Sequence, residues 1–427
     1  MVLCSSHLAT SIPEPKLEEW SLKSGTKCVI APMPDSQLTC LDFWCRAGSS
    51  YEKAGEEGLA HFLEHMVFKG SSTLSAGEFD CQVEALGGTS NAATGFDEVH
   101  FYVLVPQRSA QTALELLLSL VLCPSLKPED YSMEREVVLE EIAQSKDQPD
   151  EQVFQSLLGS CWPTHPYGRT ILGFESSLKT SSPEQMRAFH SRLYKGSNSC
   201  LVISGAIPTE IKDFLSSSRL ADINSQPSTD SSPTNLIFRT GKQEIEVPRL
   251  ESARLLMAWQ MPPTKNQEMV IGSDLATSLL AEGRRSRLVS HLREELQIVE
   301  SVDMDVSILE QGSLVMLEAC CMEKHLDEVE KEIHSVLKDC LAAPPTTQET
   351  TRAAQLVGNG LCFSLESPSQ VAAIAGSQAL WDRSQDLLKP LKTIKGWTAK
   401  RIQEEILQLL QPELSFTLTA RPKEILK

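Results

Sequence analysis

The segment that decides the fold reads Gly58-Leu59-Ala60-His61-Phe62-Leu63-Glu64-His65-Met66-Val67-Phe68-Lys69-Gly70. Most of its other side chains are apolar, so two imidazoles and a carboxylate among them indicate a binding role. In a helix, His61 and His65 are one turn plus about 40° apart, and Glu64 projects from an adjacent part of the same side. The spacing predicts that two histidine nitrogens share one metal ion. The alternative is a pair of core histidines whose rings bond to backbone carbonyls.

The order His-x-x-Glu-His is the inverted zinc-protease motif, in which the histidines bind Zn²⁺ and Glu64 would act as general base. Catalytic zinc takes three protein ligands, so a third donor must come from elsewhere in the chain. The best candidate segment has apolar residues at helical spacing and reads Met133-Glu134-Arg135-Glu136-Val137-Val138-Leu139-Glu140-Glu141-Ile142. Glu134 and Glu141 lie two turns apart along one face of that helix.

Here the sequence resembles the pitrilysin-like, or insulinase-type, zinc metallopeptidases, the M16 family that includes the mitochondrial processing peptidases. In that family a glutamate ligand follows the inverted motif at the spacing seen here, where 75 residues lie between His65 and Glu141. The resemblance implies that His61, His65 and Glu141 bind one Zn²⁺ per chain and that Glu64 is the general base. It also implies that Glu134 is a carboxylate that orients a ligand.

The resemblance further implies substrate-binding residues in both halves of the chain. Asn91 and Ala92 match the edge strand that receives a peptide as an additional strand, although ordinary turn and edge-strand chemistry would explain them equally well. Arg293 matches an arginine that holds the substrate, but Glu300 stands where the family has a tyrosine. A carboxylate cannot donate a hydrogen bond to an oxyanion. We therefore expect a related partner chain to supply the Arg/Tyr pair in a heterodimer, since a homodimer would lack it in both copies.

The predicted elements follow one order twice, which predicts an α+β fold of two homologous domains. Each would be a largely antiparallel sheet covered by helices, as in one half of a metallopeptidase clamshell. We expect a zinc-binding catalytic domain at 1–215, a linker rich in Ser, Asp, Pro and Asn at 216–236, and a degenerate repeat domain at 237–427. The second copy lacks the metal site, because the helix around Gly272 to Leu280 holds no histidine.

Periodicity predicts the individual elements of both halves. In the first half we expect a strand hairpin at 17–31, strands at 39–47, 89–94, 99–105 and 200–205, and helices at 79–86, 111–123, 130–146, 151–160 and 183–194. In the second half we expect strands at 253–261, 299–307, 313–321 and 414–420, and helices at 268–280, 286–296, 325–342, 348–363, 370–381 and 394–410.

Composition narrows the partners and the compartment. A net charge of −18 over 427 residues argues against nucleic acid and against an anionic membrane surface as partners. No apolar run reaches the roughly 18 residues that a membrane helix needs, and Met1 to Trp20 lacks the features of a targeting segment. The 12 cysteines are scattered without C-x-x-C spacing, which predicts free thiols and a cytoplasmic location.

Together these features predict a zinc-dependent endopeptidase that hydrolyses peptides or unfolded segments in a chamber formed with a partner chain. A processing peptidase for organellar precursors is a rival within the same class. A non-catalytic scaffold or peptide-binding subunit of a larger complex is the alternative from another class, and so is a zinc protein that sequesters peptides. Glu300 favours sequestration, whereas the retention of His61, Glu64, His65 and Glu141 favours a peptidase.

Overall fold

The computed structural model describes residues 16–226, 235–383 and 386–423. The first 15 residues of the amino-terminal segment and residues 227–234 of the predicted linker lie outside the described residues. Within the described part, none of the helices combines the length and apolarity needed to cross a lipid bilayer.

The first sheet has six strands and is antiparallel except where β2 pairs with β6. Its strand order is β1-β2-β6-β3-β5-β4, which leaves β4 at an edge. The strands are β1 (Glu18–Ser21), β2 (Lys27–Pro32), β3 (Leu38–Cys45), β4 (Thr89–Thr94), β5 (Val99–Pro106) and β6 (Ser199–Gly205).

The second sheet repeats this arrangement with five strands, in the order β7-β11-β8-β10-β9. Its only parallel pair in the described residues, β7 with β11, corresponds to the parallel pair of the first sheet. The strands are β7 (Gly241–Val247), β8 (Ala253–Met261), β9 (Ser301–Ser307), β10 (Ser313–Cys321) and β11 (Phe416–Pro422). The predicted α+β fold with a repeated, largely antiparallel sheet is confirmed. Strand β7 was not predicted, because most of its side chains are exposed and it lacks an apolar alternation.

Nine helices of the first half lie in the described residues. They are α1 (Leu59–Val67), α2 (Glu78–Ala85), α3 (Ala110–Leu122), α4 (Pro128–Asp147), α5 (Pro149–Cys161), α6 (Glu175–Thr180), α7 (Pro183–Leu193), α8 (Ile211–Ser217) and α9 (Arg219–Asp222). The last two residues of α8 and all of α9 lie in the predicted linker at 216–236, where the apolar Leu220 is buried in the first core. Ile211 and Leu215 of α8 precede the linker and are buried in the same core.

The described helices of the second half include two that differ from the predicted ones. They are α10 (Gln267–Ala281), α11 (Leu326–Ala342), α12 (Thr347–Ser364), α13 (Pro368–Leu380), α14 (Lys389–Ile394) and α15 (Ala399–Arg401). The helix predicted at 286–296 is a π-helical segment, Val289–Glu295. The helix predicted at 394–410 is broken: α14 ends before Gly396, and α15 continues into a π turn, Ile402–Ile406, and a 3-10 turn, Leu407–Leu410.

Each sheet is covered on one face by a helix from the opposite half of the chain. Helix α13 packs on β2, β3 and β6, and helix α5 packs on β7, β8 and β11. The first sheet needs a helix on this face because strands β3 and β6 are buried on both faces. We propose that the division into residues 1–215 and 237–427 describes the two sheets, whereas α5 and α13 belong by packing to the opposite one.

Gly376 allows α13 to pack closely against the first sheet, and this contact gives a first testable prediction. A Cβ at Gly376 would lie 2.3 Å from Nε1 of the buried Trp44 on β3. Gly376→Ala should therefore destabilise the protein by about 1–3 kcal/mol, because the helix or the indole ring must shift. Alanine at the matched helical Gly360 meets nothing within 4 Å, so Gly360→Ala should stabilise by about 1 kcal/mol. Urea unfolding of both variants measures the difference, and equal effects would contradict the tight α13 contact.

Candidate metal centre

The histidines of helix α1 point away from the core because the apolar face of the helix packs into the core. Leu59, Phe62, Leu63 and Met66 are buried in the first hydrophobic cluster, at helical spacing. His61, Glu64 and His65 lie on the other side and are only partly buried. The amphipathic pattern thus sets the direction in which the imidazoles point.

The start of α1 is held by a close backbone contact and a buried carboxylate. Gly58 has φ +96°, and a Cβ there would lie 2.6 Å from the carbonyl oxygen of Leu172, so only glycine allows this approach. The amide of Ala60 donates a 2.8 Å hydrogen bond to the Glu52 carboxylate. Burial raises the pKa of Glu52 to about 8, against the opposing effect of the amide hydrogen bonds. These contacts determine where the first turn of the helix begins.

The structure brings His61, His65 and Glu141 together. Glu141 projects from α4, and its Oε2 lies 3.7 Å from Nε2 of His61 and 3.5 Å from Nε2 of His65. The ligand atoms of all three residues lie within 4.8 Å of one another. The predicted ligand set is therefore assembled from two helices that are far apart in sequence.

The donors of this cluster fit a zinc ion. Burial, and then the neighbouring His65, lower the pKa of His61 to about 4, so its imidazole is neutral near pH 7 and offers a lone pair. Its Nδ1 is buried and has no hydrogen-bond partner among the described residues. Nδ1 of His65 lies 3.0 Å from Glu134, which leaves Nε2 to face Glu141. Two imidazole nitrogens and one carboxylate oxygen are ligands that Zn²⁺ accepts in sites with an open fourth position.

Glu134 lies directly behind His65. Its side chain is 9% exposed, and it contacts Nδ1 of His65 through Oε1 at 3.0 Å and Nζ of Lys69 through Oε2 at 2.6 Å. The contact with His65 is the one expected of a carboxylate that orients a ligand. Lys69 was missed in the sequence, although its position four residues after His65 is the spacing at which helical side chains meet.

Thr94 is a second residue that the sequence prediction missed. Its hydroxyl donates a hydrogen bond to Oε2 of Glu64. Burial raises the pKa of Glu64, and the Thr94 bond opposes that rise. The available signal was alternation along β4, where Thr94 shares a face with Ala92 two residues before it.

Asn91 and Ala92 lie on the edge strand β4, close to this site. Asn91 pairs with Tyr102 and Ala92 with Phe101 of β5, and the other edge of β4 carries no strand among the described residues. The amide of Ala92 donates a 2.9 Å hydrogen bond to the side-chain oxygen of Asn91. A free edge of this kind can accept an extended peptide through main-chain hydrogen bonds.

Arg293 and Glu300 are not brought to the cluster within this chain. Arg293 lies on the π-helical segment of the second half, and its guanidinium bonds to Glu294 at 2.8 and 3.0 Å. Glu300 precedes β9 and accepts a 2.9 Å hydrogen bond from the hydroxyl of Ser252. Their bonds are thus to neighbouring side chains of the second half.

The helix α10 and the edge strand β9 of the second half carry carboxylates and no histidine. Helix α10 packs beside the edge strand β9 as α1 packs beside β4. Asp274 of α10 lines a groove of about 700 Å³ that also contains Asp303 and Asp305 of β9. Desolvation by burial raises the pKa of Asp274 to about 7.

Comparison with known proteins gives matches along most of the chain. Residues 29–175 match the family model Insulinase (Peptidase family M16), and residues 180–357 match the model Peptidase M16 inactive domain. An uncharacterized zinc protease of Rickettsia felis is 28% identical over 313 residues, which is 73% of this chain and 75% of that protein. Zinc protease PqqE of Helicobacter pylori is 24% identical over 375 residues, 84% of this chain and 82% of that protein.

Solved structures show the same fold. A protease from Helicobacter pylori superposes with a TM-score of 0.89 at 23% identity, and the match covers 96% of this chain and 100% of that one. The periplasmic protease PqqL from Escherichia coli gives a TM-score of 0.78 at 16% identity, with 97% of this chain matching 48% of that chain.

Metal binding gives the second testable prediction. The chain should bind one zinc ion, and His61→Ala or Glu141→Ala should weaken binding by at least about 100-fold, because each removes a direct ligand. Glu140→Gln, which changes the exposed neighbour of Glu141, should leave the affinity unchanged. Competition with a chromophoric chelator measures the dissociation constants. Equal affinities of the Glu141 and Glu140 variants would contradict this ligand set.

The pH dependence of stability gives the third prediction. A free aspartate ionises near pH 3.9, whereas Asp274 in the fold ionises near 7. The unfolded chain therefore loses this proton first, and the cost of the folded carboxylate grows from about pH 4 to pH 7. Asp274→Asn should raise the melting temperature relative to the parent by about 2–4 °C at pH 8 and by almost nothing at pH 4. Asp303→Asn, at an exposed position, is the control. A difference that did not change with pH would contradict the assignment.

Proposed function

The chain belongs to the insulinase family of peptidases, family M16, and on that premise we propose that it is a zinc-dependent endopeptidase. The observation that carries the proposal is the meeting of His61, His65 and Glu141 at one point, with Glu64 on the same helix beside them. Relatives named zinc proteases support the same class of reaction.

Each side chain of the site would have a separate role in peptide hydrolysis. His61, His65 and Glu141 would hold one Zn²⁺, which when bound supplies Lewis-acid activation of water and of the scissile carbonyl. Glu64 would take the proton of the attacking water and pass it to the leaving amine. In the metal-free chain, burial raises the pKa of Glu64 and the Thr94 hydrogen bond opposes that rise. Thr94 occupies Oε2 of Glu64, which leaves the other oxygen for the transfer.

We propose that the substrate is an extended peptide or an unfolded segment. Such a segment can add to the free edge of β4, where its carbonyl would replace the Asn91 side chain as acceptor for the Ala92 amide. Folded proteins present few segments in the required extended, unpaired form. Thr94 ends the same strand, so a peptide on this edge lies beside the general base.

We also propose a related partner chain. An oxyanion needs hydrogen-bond donors, and a glutamate at position 300 would repel it. A homologous subunit that carries the Arg/Tyr pair would complete the site in a heterodimer, whereas a homodimer would have Glu300 in both copies. The cysteines in the described residues are all free, which supports a reducing compartment, and we propose the cytoplasm.

A non-catalytic scaffold or peptide-binding subunit is the second candidate. The match of residues 180–357 to the model Peptidase M16 inactive domain favours it, and Glu300 favours a subunit that holds peptides without cutting them. Against it stands the first half, which retains three ligands and the base.

Hydrolysis of a quenched fluorescent peptide library, with zinc content measured per chain, tests the proposal. We expect activity that chelator abolishes and zinc restores. Glu64→Gln should lower kcat by about 10²–10⁴ while zinc is retained, because it removes only the proton acceptor. Glu140→Gln is the matched control.

The same assay is repeated with a related subunit that carries the Arg/Tyr pair. Full zinc occupancy with no hydrolysis, both by the chain alone and by the chain together with the related subunit, would support the scaffold and refute the peptidase.

A further inference from the structure

We propose that Lys69 is a positioning residue of the metal centre. Its ammonium holds the Glu134 carboxylate in the orientation that accepts a hydrogen bond from Nδ1–H of His65. The inference rests on the zinc site of the proposed function. It assigns a role to a side chain that follows α1 and is not itself a ligand.

The geometry gives each oxygen of Glu134 a separate partner. Nζ of Lys69 lies 2.6 Å from Oε2, and Nδ1 of His65 lies 3.0 Å from Oε1. His65 lies on α1 and Lys69 lies in the turn after it, whereas Glu134 lies on α4, which also carries Glu141. The bridge therefore fixes the end of one ligand-bearing helix against the other.

Lys69 brings into direct contact with Glu134 a positive charge that a metal-bound His65 does not carry. A histidine that binds a metal through Nε2 is a neutral imidazole, so in the loaded site it offers Glu134 a hydrogen bond but no net positive charge. The Glu134 side chain is only 9% exposed, and burying a carboxylate without a compensating cation is costly. The ammonium of Lys69 compensates that charge from a side chain that is itself 37% exposed.

Two possible effects of Lys69 on zinc affinity have opposite signs. The field of an ammonium repels a dication, so a purely electrostatic influence would make zinc bind more tightly once Lys69 is removed. A positioning role predicts weaker binding, since the freed carboxylate can turn toward solvent and leave the His65 ring without its acceptor. The direction of the change therefore distinguishes the two.

Zinc affinity of the metal-free chain tests the inference without any activity measurement. Lys69→Met should raise the zinc dissociation constant by about 10–100-fold, the usual cost of losing a partner that orients a ligand. Lys69→Arg, which keeps the charge, should recover most of the affinity. Lys242→Met is the matched control, because Lys242 forms an ion pair of the same 2.6 Å length with Glu330 in the second half and should not matter.

A double-mutant cycle tests whether Lys69 acts through Glu134. In a Glu134→Gln background, Lys69→Met should change zinc affinity little, because the carboxylate that it holds is gone. The absorption spectrum of bound Co²⁺ should change in Lys69→Met and stay as in the parent in Lys242→Met. Lys69→Gln is measured in parallel, with melting temperatures of the metal-free chains, so that a folding defect of one variant does not decide the result.

Unchanged or tighter zinc binding by folded Lys69→Met and Lys69→Gln, with normal binding by the parent, would overturn this inference alone. A parent chain that bound no zinc would overturn the proposed function and the inference with it. Equal effects of Lys69→Met in the parent and in the Glu134→Gln background would also overturn it.

Discussion

The metal centre depends on how the nine-residue helix α1 divides its surface. The apolar side chains of that helix are drawn into the first core, and the free energy of their burial fixes the rotation of the helix about its own axis. The imidazoles must then face α4, whose own buried residues Tyr131, Val138 and Ile142 set its rotation in the same way. Two hydrophobic stripes thus bring nitrogen and oxygen ligands together. The polar cluster is assembled by the same core packing that stabilises the fold.

The second half of the chain supports this centre although it carries no comparable cluster in its described residues. Helix α13 covers the face of the first sheet that carries Trp44, and the turn between β4 and β5 is hydrogen-bonded to the turn before β10. Asp97 in the first of these turns accepts hydrogen bonds from the Tyr167 hydroxyl at 2.7 and 2.8 Å and from the Glu310 amide at 3.0 Å. The end of β4, where Thr94 meets Glu64, is therefore anchored by both halves.

The two repeats show what happens to a site when its ligands are absent. The strand order is common to both sheets, yet α10 carries a desolvated Asp274 and no histidine, whereas α1 carries the two histidines that lie beside Glu141. The scaffold of helix and edge strand is maintained by packing, and it tolerates a change of polar side chains at the groove. The fold and the chemistry of the groove are consequently separable, which is why likeness of fold does not by itself establish activity.

Local periodicity was sufficient for much of the fold. Strands β4 and β8 lie at their predicted bounds, and α1 forms where the inverted motif predicts it. Prediction failed at β7, whose exposed side chains give no alternation, and at 394–410, where an apolar pattern continues across a break at Gly396. The conformation of β7 is decided by the strand that it pairs with, whereas the break has local signals, Gly396 and the Thr398 side chain that accepts a hydrogen bond from the Arg401 amide.

By itself, the sequence determined the helix, the order of the motif and the candidate ligands, because these depend on spacing within one segment or on a match between two. Only the tertiary structure decided that Thr94 bonds to Glu64 and that Lys69 bonds to Glu134. It also decided that α5 and α13 each pack on the sheet of the opposite half. Those contacts join residues that are 30, 65 and more positions apart. Their geometry follows from how elements pack, and a one-dimensional pattern carries no information about that.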